Sequence, residues 1–471
     1  MIGNQGWLGG VSYIESLVQA MQCLDKEDRP QIYLAISEEI LHAVDFHRKI
    51  FPLLDGLIYV GNNDEMARDI LQIPFTHCCT YDELNELLDF YFPVNSDVIP
   101  GLCSASWIPD FQHLYLPDYF SPFERCKRDQ AFQRIAEQSR LVVFSSENAK
   151  KDFHHFFPDS KAITRVLSFH TNIDNQVYEK NSLEIQKKYN LPNEFLICSN
   201  QFWPHKNHDF LFKAWSLLNK KGKNIHLVCT GPTDDPQSPE TYPKLQALIN
   251  DLNLNDNIHI LGIIPREDQL QLLRRSLAVI QPSLFEGWSS VVEESRALGK
   301  TIFLSDLPVH YEQNPKYAVF FDRYDVNDLV QKILDTLPNL SPGPDFSRER
   351  TSWENVQSLI EDYAHQFCSI VIEAQYIFNR KIKTINKSLW NLLTEIQPDG
   401  KLDKNNELHE TTCQSIENIN QEDCLEVAYK NIRDPKTKIL PRSVPQHVIQ
   451  GLSQYGINVI NYVIDVDDYH Q

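Results

Sequence analysis

The sequence lacks a long hydrophobic run and any recurrent cysteine spacing. No apolar stretch approaches the roughly 18 residues that a membrane-spanning helix needs. Residues 1–5 show no charged segment of the kind that opens a secretion signal. The ten cysteines are scattered singly apart from the Cys78-Cys79 pair, without a CxxC, which is typical of reduced thiols. We therefore expect a cytoplasmic protein, with peripheral contact to the inner face of a membrane left open.

Positive charge is also in short supply. The 471 residues contain 44 Lys and Arg against 64 Asp and Glu, a formal net charge of -20. Nucleic acid is therefore not expected as a partner, because a phosphate backbone needs a basic footprint. A small phosphate-bearing ligand needs only local backbone amides and one or two cations. The length and the 42% hydrophobic content predict a globular protein of two or three domains.

The second half of the chain shows short apolar runs alternating with amphipathic stretches. This pattern is typical of a parallel sheet with crossover helices. The predicted strands are 195–200, 225–230, 257–262, 277–280, 301–304 and 318–321. The predicted helices are 209–218, 242–252, 267–275, 290–298 and 326–337. Together they predict a doubly wound α/β domain.

The first half shows the same alternation less cleanly. The predicted strands are 31–37, 56–60, 96–102, 141–144 and 164–169, and the predicted helices include 11–23 and 122–138. The first helix follows Gly9-Gly10 almost at once. The strand that should precede it is thus expected to be short or missing, which indicates an upstream start or a lost edge.

The most informative segment is 281–299. A predicted strand ends just before it, Ser289 or Ser290 can cap the next helix, and Gly299 can close that helix. Free amides at a helix start and the positive end of its dipole create an anion site. In an open α/β sheet such a site lies at the carboxyl edge of the strands. We therefore expect a phosphate-bearing ligand near Ser290.

Two glutamates flank seven residues of this segment. Glu286 would face the ligand from the loop, and Glu294 would lie about one turn inside the helix. Carboxylates at these places can accept hydrogen bonds from sugar or ribose hydroxyls. The spacing alone would more simply describe a solvated helix face. Pro282, Ser283 and Gly287 around the pair favour the ligand site.

The segment resembles the signature of the GT-B-fold retaining glycosyltransferases of family four. The matching positions are Pro282, Ser283, Glu286, Gly287 and Glu294. The resemblance covers roughly residues 6–367 and is strongest over 195–313. It implies an α/β protein with two doubly wound Rossmann-like domains that face each other across a cleft.

The implied domain division combines this resemblance with the pattern along the chain. Residues 1–170 are expected to form a Rossmann-like acceptor-side domain, and residues 171–341 a Rossmann-like domain that binds the nucleotide sugar. Residues 342–367 form a helix expected to pack back on the first domain. Residues 368–471 are an extension of unknown role, with 397–421 as its candidate linker.

A second family signature lies around Lys206. Many relatives place an Arg a few residues before the Lys-Asn pair, and the two cations hold the donor diphosphate. Here Asn200 and Gln201 occupy that region, whereas Lys206-Asn207 is retained. The resemblance implies that Lys206 neutralises the charge leaving with the nucleotide. An exposed loop lysine is the alternative.

The resemblance also implies residues in the first domain. Gly9 and Gly10 match the glycine loop through which the backbone approaches the transferring sugar and diphosphate, although a tight turn would explain them too. His113 matches the position of the family's active-site histidine, which contacts the donor sugar. A structural histidine is the alternative.

Two apparent metal motifs are set aside. His205 and His208 form an HxxH near Cys198, but no further ligand cluster lies nearby and zinc prefers four ligands. Asp465-Val466-Asp467 mimics the Asp-x-Asp of the other glycosyltransferase fold. That fold needs an acceptor half after the motif, and only residues 468–471 follow. No metal and no cofactor are therefore expected.

The implied function is transfer of a sugar from a nucleotide-diphosphate sugar to an acceptor glycan or lipid-linked saccharide, with retention of configuration. The expected catalytic residues are His113, Glu286 and Lys206. The expected donor-binding residues are Gly9, Gly10, Asn200, Lys206, Gly287, Trp288, Ser289, Ser290 and Glu294. The alternatives are a GT-B-fold epimerase or phosphorylase, or a catalytically silent protein that binds a sugar nucleotide or serves as a scaffold.

Overall fold

The structure is a computed structural model that describes residues 8–235 and 238–378, together with the paired strands Thr437–Leu440 and Asn458–Asn461. The expected opening strand before the first helix lies outside the described residues. The same holds for the candidate linker 397–421 and for the Asp-x-Asp segment 465–467.

The first domain contains two parallel sheets. Its strands are β1 (Tyr33–Ser37), β2 (Gly56–Val60), β3 (Thr76–Cys78), β4 (Tyr91–Val94), β5 (Ser104–Ile108), β6 (Leu141–Phe144) and β7 (Ile163–Val166). Its helices are α1 (Leu8–Met21), α2 (Asp64–Leu71), α3 (Tyr81–Leu87), α4 (Gln112–Tyr115), α5 (Pro122–Gln138) and α6 (Glu147–Phe156), with a long 3-10 helix at Glu38–Leu53 and a 3-10 turn at Pro117–Tyr119. One sheet has the order β1-β2-β3 and the other β4-β5-β6-β7.

The predicted strand at 96–102 is wrong. That segment is an irregular loop with a turn at 100–101, where Gly101 has a φ of +82°, and the strand begins only at Ser104. β5 pairs on both sides, with β4 and β6. Pro100 has no N–H to give to a ladder, so an interior strand cannot run through it.

The second domain is one six-stranded parallel sheet covered by helices. Two short helices, α7 (Asn175–Glu179) and α8 (Ser182–Lys188), lead into it. Its strands are β8 (Phe195–Ser199), β9 (His226–Thr230), β10 (Ile258–Gly262), β11 (Val279–Gln281), β12 (Ile302–Ser305) and β13 (Ala318–Phe321). Its helices are α9 (His208–Lys220), α10 (Thr241–Asp251), α11 (Arg266–Arg275), α12 (Ser290–Ala297), α13 (Pro308–Gln313) and α14 (Val326–Thr336), with 3-10 turns at Pro204–Lys206 and Leu337–Asn339.

The strand order of this sheet is β10-β9-β8-β11-β12-β13, so the chain turns from one half of the sheet to the other between β8 and β11. Alternate residues of β8 fill the two core layers: Phe195 and Ile197 lie in one, Leu196 and Cys198 in the other. This burial on both faces explains why the strands are continuous apolar runs. The predicted strands and helices of this domain are confirmed with small shifts at their ends.

A long helix, α15 (Phe346–Ile377), follows the second domain. It continues past Phe367, where the sequence pattern suggested an end. Near its start Glu349 pairs with Arg274 at 2.7 Å, and near its end Glu373 pairs with Arg165 at 2.5 Å. Helix α15 therefore contacts both domains. No helix within the described ranges combines the length and apolar composition needed to cross a bilayer.

Candidate active site

The two loops that carry the sequence motifs leave neighbouring strands at the centre of the second sheet. β8 and β11 are adjacent and parallel, and their carboxyl ends lie where the strand order reverses. Ligands of open α/β sheets bind at this switch point. The Leu284 N–H donates to the His205 carbonyl at 2.8 Å, and the Asn207 amide donates to the Pro282 carbonyl at 3.1 Å. The two loops are therefore hydrogen-bonded to each other at the carboxyl edge of the sheet.

Lys206 and Glu286 form an ion pair between these two loops. The Lys206 ammonium lies 2.7 Å from Glu286 Oε1, and both side chains are about nine-tenths buried. Lys206 stands at the end of a 3-10 turn that Pro204 begins, and Asn207 leaves it in the left-handed conformation with φ +60°. The turn thus aims the lysine at the other loop. An ammonium has three donors, so further acceptors can bind beside Glu286.

Two side-chain amides at the ends of neighbouring strands hold Glu286 in place through a chain of hydrogen bonds. Gln281, the last residue of β11, donates from Nε2 to Glu286 Oε1 at 2.8 Å. Asn200, which follows β8, donates from Nδ2 to Gln281 Oε1 at 2.9 Å. Asn200 is buried and reaches Glu286 only through Gln281. Its predicted contact with a donor stays a prediction, whereas its observed contacts position the glutamate.

Glu286 is held in its ionised form. Burial alone would raise its pKa, but the Lys206 charge and the hydrogen bonds from Lys206 and Ser283 outweigh burial and lower the pKa to about 2. Burial and the Lys206 charge lower the pKa of His205 to about 3. The loop therefore presents a carboxylate and an ammonium beside a neutral imidazole.

Glu294 lies in a different environment, inside the first turns of α12. Its side chain is 3% exposed and accepts from Arg266 Nη1 at 2.6 Å. Gln269 bonds Ser199 Oγ at 2.6 Å and approaches Glu294 Oε2 at 3.5 Å. Burial raises the pKa of Glu294, and the Arg266 guanidinium offsets this only in part. Glu294 is thus a buried acceptor at the carboxyl edge of the sheet.

Helix α12 begins at Ser290, as predicted, but Ser289 does not cap it with its side chain, and Gln313 of α13 holds the Ser289 backbone. Ser289 makes no side-chain cap hydrogen bond. Instead, Gln313 accepts from the Ser289 N–H at 3.3 Å and donates to the Ser289 carbonyl at 3.0 Å. The following amides have no intrahelical partner by construction. Gly299 closes the helix with φ +59°, which confirms that prediction.

The Glu286 loop faces the first domain. A Cβ placed on Gly287 would lie 2.7 Å from the Pro109 carbonyl oxygen and 2.9 Å from the Asp110 Cβ. Only glycine permits this approach. Trp288 Nε1 donates to the Phe169 carbonyl at 2.8 Å. The candidate site therefore lies at the boundary between the two domains, and residues of both domains surround it.

The first-domain residues predicted from the family pattern are placed as follows. Gly9 and Gly10 lie in the first turn of α1, so their backbone is helical where a loop was expected, and their contact with a donor stays a prediction. His113 is buried in α4, with Nε2 3.1 Å from Asp129 Oδ1. Burial and the Arg128 charge lower the pKa of His113, against the opposing effect of Asp129.

The HxxH pair does not assemble as a metal site. His208 stacks on Phe202 with ring centroids 4.3 Å apart, and its Nε2 lies 3.8 Å from Cys198 Sγ. Burial lowers the pKa of His208 to about 3. Over the part of the chain that the structure describes, no group of three or more His, Cys, Asp or Glu residues is arranged for metal binding.

Comparison with known proteins identifies the domain that carries this site. Residues 181–343 match the model of the family described as glycosyl transferases group 1. This matched segment is called the group 1 domain below. The match contains Lys206, Glu286 and Glu294, so the site described above lies within the group 1 domain.

Curated relatives support the same assignment. The O-antigen chain mannosyltransferase RfbU of Salmonella typhimurium is 25% identical over 196 residues, which are 41% of this chain and 51% of the relative. The uncharacterized glycosyltransferase MJ1059 of Methanocaldococcus jannaschii is 24% identical over 178 residues, 37% of this chain and 42% of the relative. The chain thus spans about half the length of the curated relatives that it matches.

A solved structure shares the two-domain fold. Alr3699/HepE of Anabaena, in complex with UDP and glucose, superposes with a TM-score of 0.51 at 13% identity. The match covers 78% of this chain and 97% of that chain. At this identity the likeness concerns the fold, which is the GT-B arrangement of two Rossmann-like domains that the sequence predicted.

Several residues of the group 1 domain's site escape sequence reasoning. They are Gln281, Arg266, Gln269 and Gln313. Each meets its partner through the fold: Gln313 reaches Ser289 from α13, and Arg266 reaches Glu294 from α11. Gln281 alone carried a signal, because a polar residue that ends an apolar strand is unusual unless it is hydrogen-bonded.

Proposed function

We propose that this chain transfers a sugar from a nucleotide-diphosphate sugar to an acceptor glycan or lipid-linked saccharide, with retention of configuration and without a required metal. The group 1 domain would bind the donor, and the first domain would contribute most of the acceptor site. The relatives named as glycosyltransferases are compatible with this proposal, and the chemistry of the site supports it.

The observation that carries the proposal is the Lys206–Glu286 pair, 2.7 Å apart at the switch point of the sheet. A departing diphosphate gains negative charge, which Lys206 and the amides at the start of α12 can stabilise. The Glu286 carboxylate would accept hydrogen bonds from hydroxyls of the transferred sugar. These fixed groups need no rearrangement during the reaction, which is the condition for electrostatic stabilisation.

Glu294 and His113 would bind other parts of the donor. Glu294 accepts hydrogen bonds at the carboxyl edge of the sheet and suits the ribose hydroxyls. The bond to Asp129 places the His113 proton on Nε2, and the lowered pKa favours the neutral ring. Nδ1 has no partner among the described residues. Nδ1 is also buried, so it would accept from a sugar hydroxyl only after a local rearrangement when the donor binds.

The test combines ligand binding with turnover. Thermal-shift measurements with UDP-, GDP- and ADP-sugars should raise the unfolding temperature for at least one donor, because a ligand that binds only the folded state stabilises it. That donor is then offered with a panel of glycan and lipid-linked acceptors. Lys206→Ala and Glu294→Ala should each strongly reduce transfer while the protein remains folded.

Three results would count against the proposal in different ways. Wild-type transfer rates in both variants would place the active site elsewhere. Donor binding without transfer across the panel would favour a catalytically silent sugar-nucleotide-binding protein. Activity that depends on inorganic phosphate, or release of free nucleoside diphosphate without an acceptor product, would favour a phosphorylase or an epimerase.

A further inference from the structure

The cations of the group 1 domain around the candidate site are already paired. Lys206 bonds Glu286 at 2.7 Å, and Arg266 bonds Glu294 at 2.6 Å. Arg323 is held by Asp306 at 3.0 Å. Each pair is close to electrically neutral, yet a diphosphate that leaves the sugar needs an excess of positive charge around it.

Arg128 of the first domain lies at the same boundary and is held less tightly by a carboxylate than these three cations are. Its closest carboxylate is Asp110, with Nη1 and Oδ1 3.9 Å apart. Its guanidinium lies over the Phe120 ring, 4.8 Å from the ring centroid. Within the described parts of the chain it donates no hydrogen bond, although a guanidinium carries five donor N–H groups in a planar fork. The side chain is 39% exposed, so a ligand can reach it.

The fold fixes the place from which Arg128 extends. Helix α5 starts at Pro122, and Ser121 and Glu124 form a capping box around that start. Arg128 follows almost two turns later on the helix. The Phe120 ring, just before the cap, supports its guanidinium. The side chain is therefore directed by two local features of the first domain.

Two observations connect Arg128 to the Glu286 loop. Asp110, its nearest carboxylate, contacts the position of Gly287 so closely that an added Cβ would lie 2.9 Å from the Asp110 Cβ. The second observation concerns His205, which precedes Lys206. Burial is the main reason for the lowered pKa of His205, and the Lys206 and Arg128 charges add to it. The charge of Arg128 thus contributes to the electrostatic environment of a residue in the second domain.

We propose that Arg128 binds the β-phosphate of the nucleotide donor from the first domain and supplies the cation that the Asn200-Gln201 region of the second domain lacks. The inference rests on the proposed donor site. The group 1 domain would hold the nucleoside and the α-phosphate. The β-phosphate would extend towards the first domain, where a planar guanidinium can bind it with two parallel hydrogen bonds.

The test compares nucleotides that differ only in the β-phosphate. The full chain is titrated with UDP, GDP and ADP and with UMP, GMP and AMP, for the wild type and for Arg128→Ala. We expect Arg128→Ala to weaken binding of the preferred diphosphate at least about tenfold, because even one of the two lost hydrogen bonds to a charged group has about this effect. Binding of the matching monophosphate should change less than about twofold.

Matched variants separate this role from a structural one. Arg125→Ala removes an exposed arginine from the same helix and should change neither affinity. Arg128→Gln keeps a polar side chain without the charge and should reproduce the Arg128→Ala result, and it replaces that variant if Arg128→Ala does not fold. Arg128→Lys retains the charge and should recover part of the diphosphate affinity.

The possible outcomes distinguish the two proposals. Equal weakening of diphosphate and monophosphate binding by Arg128→Ala, or no weakening of either, would overturn the role of Arg128 and leave the donor site standing. A wild-type chain that binds none of the six nucleotides would instead overturn the donor site, and the inference about Arg128 with it.

Discussion

The two glutamates of the motif are chemically identical but lie in opposite electrostatic environments. Glu286 is paired with a buried lysine and receives further hydrogen bonds, and its pKa falls to about 2. Glu294 is equally buried, but its partner Arg266 is 46% exposed and burial raises its pKa. The spacing of the motif fixes where the carboxylates lie. Their neighbours, which come from other elements, decide how strongly each is held as an anion.

The largest expected effect is the loss of Lys206. Lys206→Ala leaves Glu286 as an uncompensated buried charge, so we expect the free energy of unfolding to fall by about 3–5 kcal/mol. Transfer should fall by a factor on the order of 10² or more, as it does when a preorganised charge-stabilising donor is removed. Chemical denaturation and a transfer assay measure the two effects.

The control for this variant is an ion pair on the surface of the same domain. Lys213 lies 2.9 Å from Asp209, and both side chains are half exposed. Lys213→Ala should cost less than about 1 kcal/mol. Equal losses in Lys206→Ala and Lys213→Ala would contradict the burial of the first pair. The double variant Lys206→Ala/Glu286→Gln should recover part of the lost stability, because it removes both charges.

The residues after the two glutamates provide the next contrast. Gly287 faces the first domain, where an added Cβ would meet the Pro109 carbonyl oxygen at 2.7 Å. We expect Gly287→Ala to cost about 1–3 kcal/mol of stability through overpacking and to weaken donor binding by forcing the domains apart. Denaturation and nucleotide titration measure both.

Ser295, the residue after Glu294, is the control position for Gly287, the residue after Glu286. It is buried in its own helix and donates to the Val291 carbonyl at 2.8 Å. Ser295→Ala should cost about 1 kcal/mol and leave the domain boundary unchanged. If Gly287→Ala had no more effect than Ser295→Ala, the Glu286 loop would not lie against the first domain as described.

Neutralising Glu294 should affect binding more than folding. In Glu294→Gln the cost of burying a charge disappears while the shape is kept, and the exposed Arg266 can turn to water. We therefore expect unfolding free energy to stay within about 1 kcal/mol of the wild type, and nucleotide affinity to fall about tenfold. Glu286→Gln, in contrast, should destabilise the fold, because Lys206 is left unpaired in the interior. Similar stability losses in the two variants would remove the distinction between the sites.

The fold of the second domain was predictable because each strand is buried on both faces and reads as an apolar run. The fold of the first domain was less predictable, because its strands are short. The strand predicted at 96–102 was placed too early, since the apolar pattern continues through Pro100 and Gly101 although β5 begins only at Ser104. At the site, the loop and helix positions of Glu286 and Glu294 followed from local sequence. Arg266 and Gln313 did not, because their contacts depend on how α11 and α13 dock beside α12. Tertiary packing selects such partners, and spacing along one chain does not encode them.

The smallest effect is a difference in the sign of pH dependence. Glu286 has a lowered folded pKa, so its contribution to stability is present above the unfolded value of about 4.3 and is lost as the pH falls. Glu294 has a raised folded pKa, so its contribution is present at low pH and is lost as the pH rises through the interval between its unfolded and folded values.

Unfolding free energies measured from pH 6 to pH 4 can separate the two carboxylates. The gap between wild type and Glu286→Gln should narrow by about 1 kcal/mol as the pH falls, because protonation of Glu286 in the unfolded chain lowers the stability of the wild type only. The wild type should gain on Glu294→Gln over the same range, because folding favours proton uptake at Glu294. Parallel pH profiles for both variants would mean that the two carboxylates share one environment, and that Lys206 and Arg266 hold their partners equally.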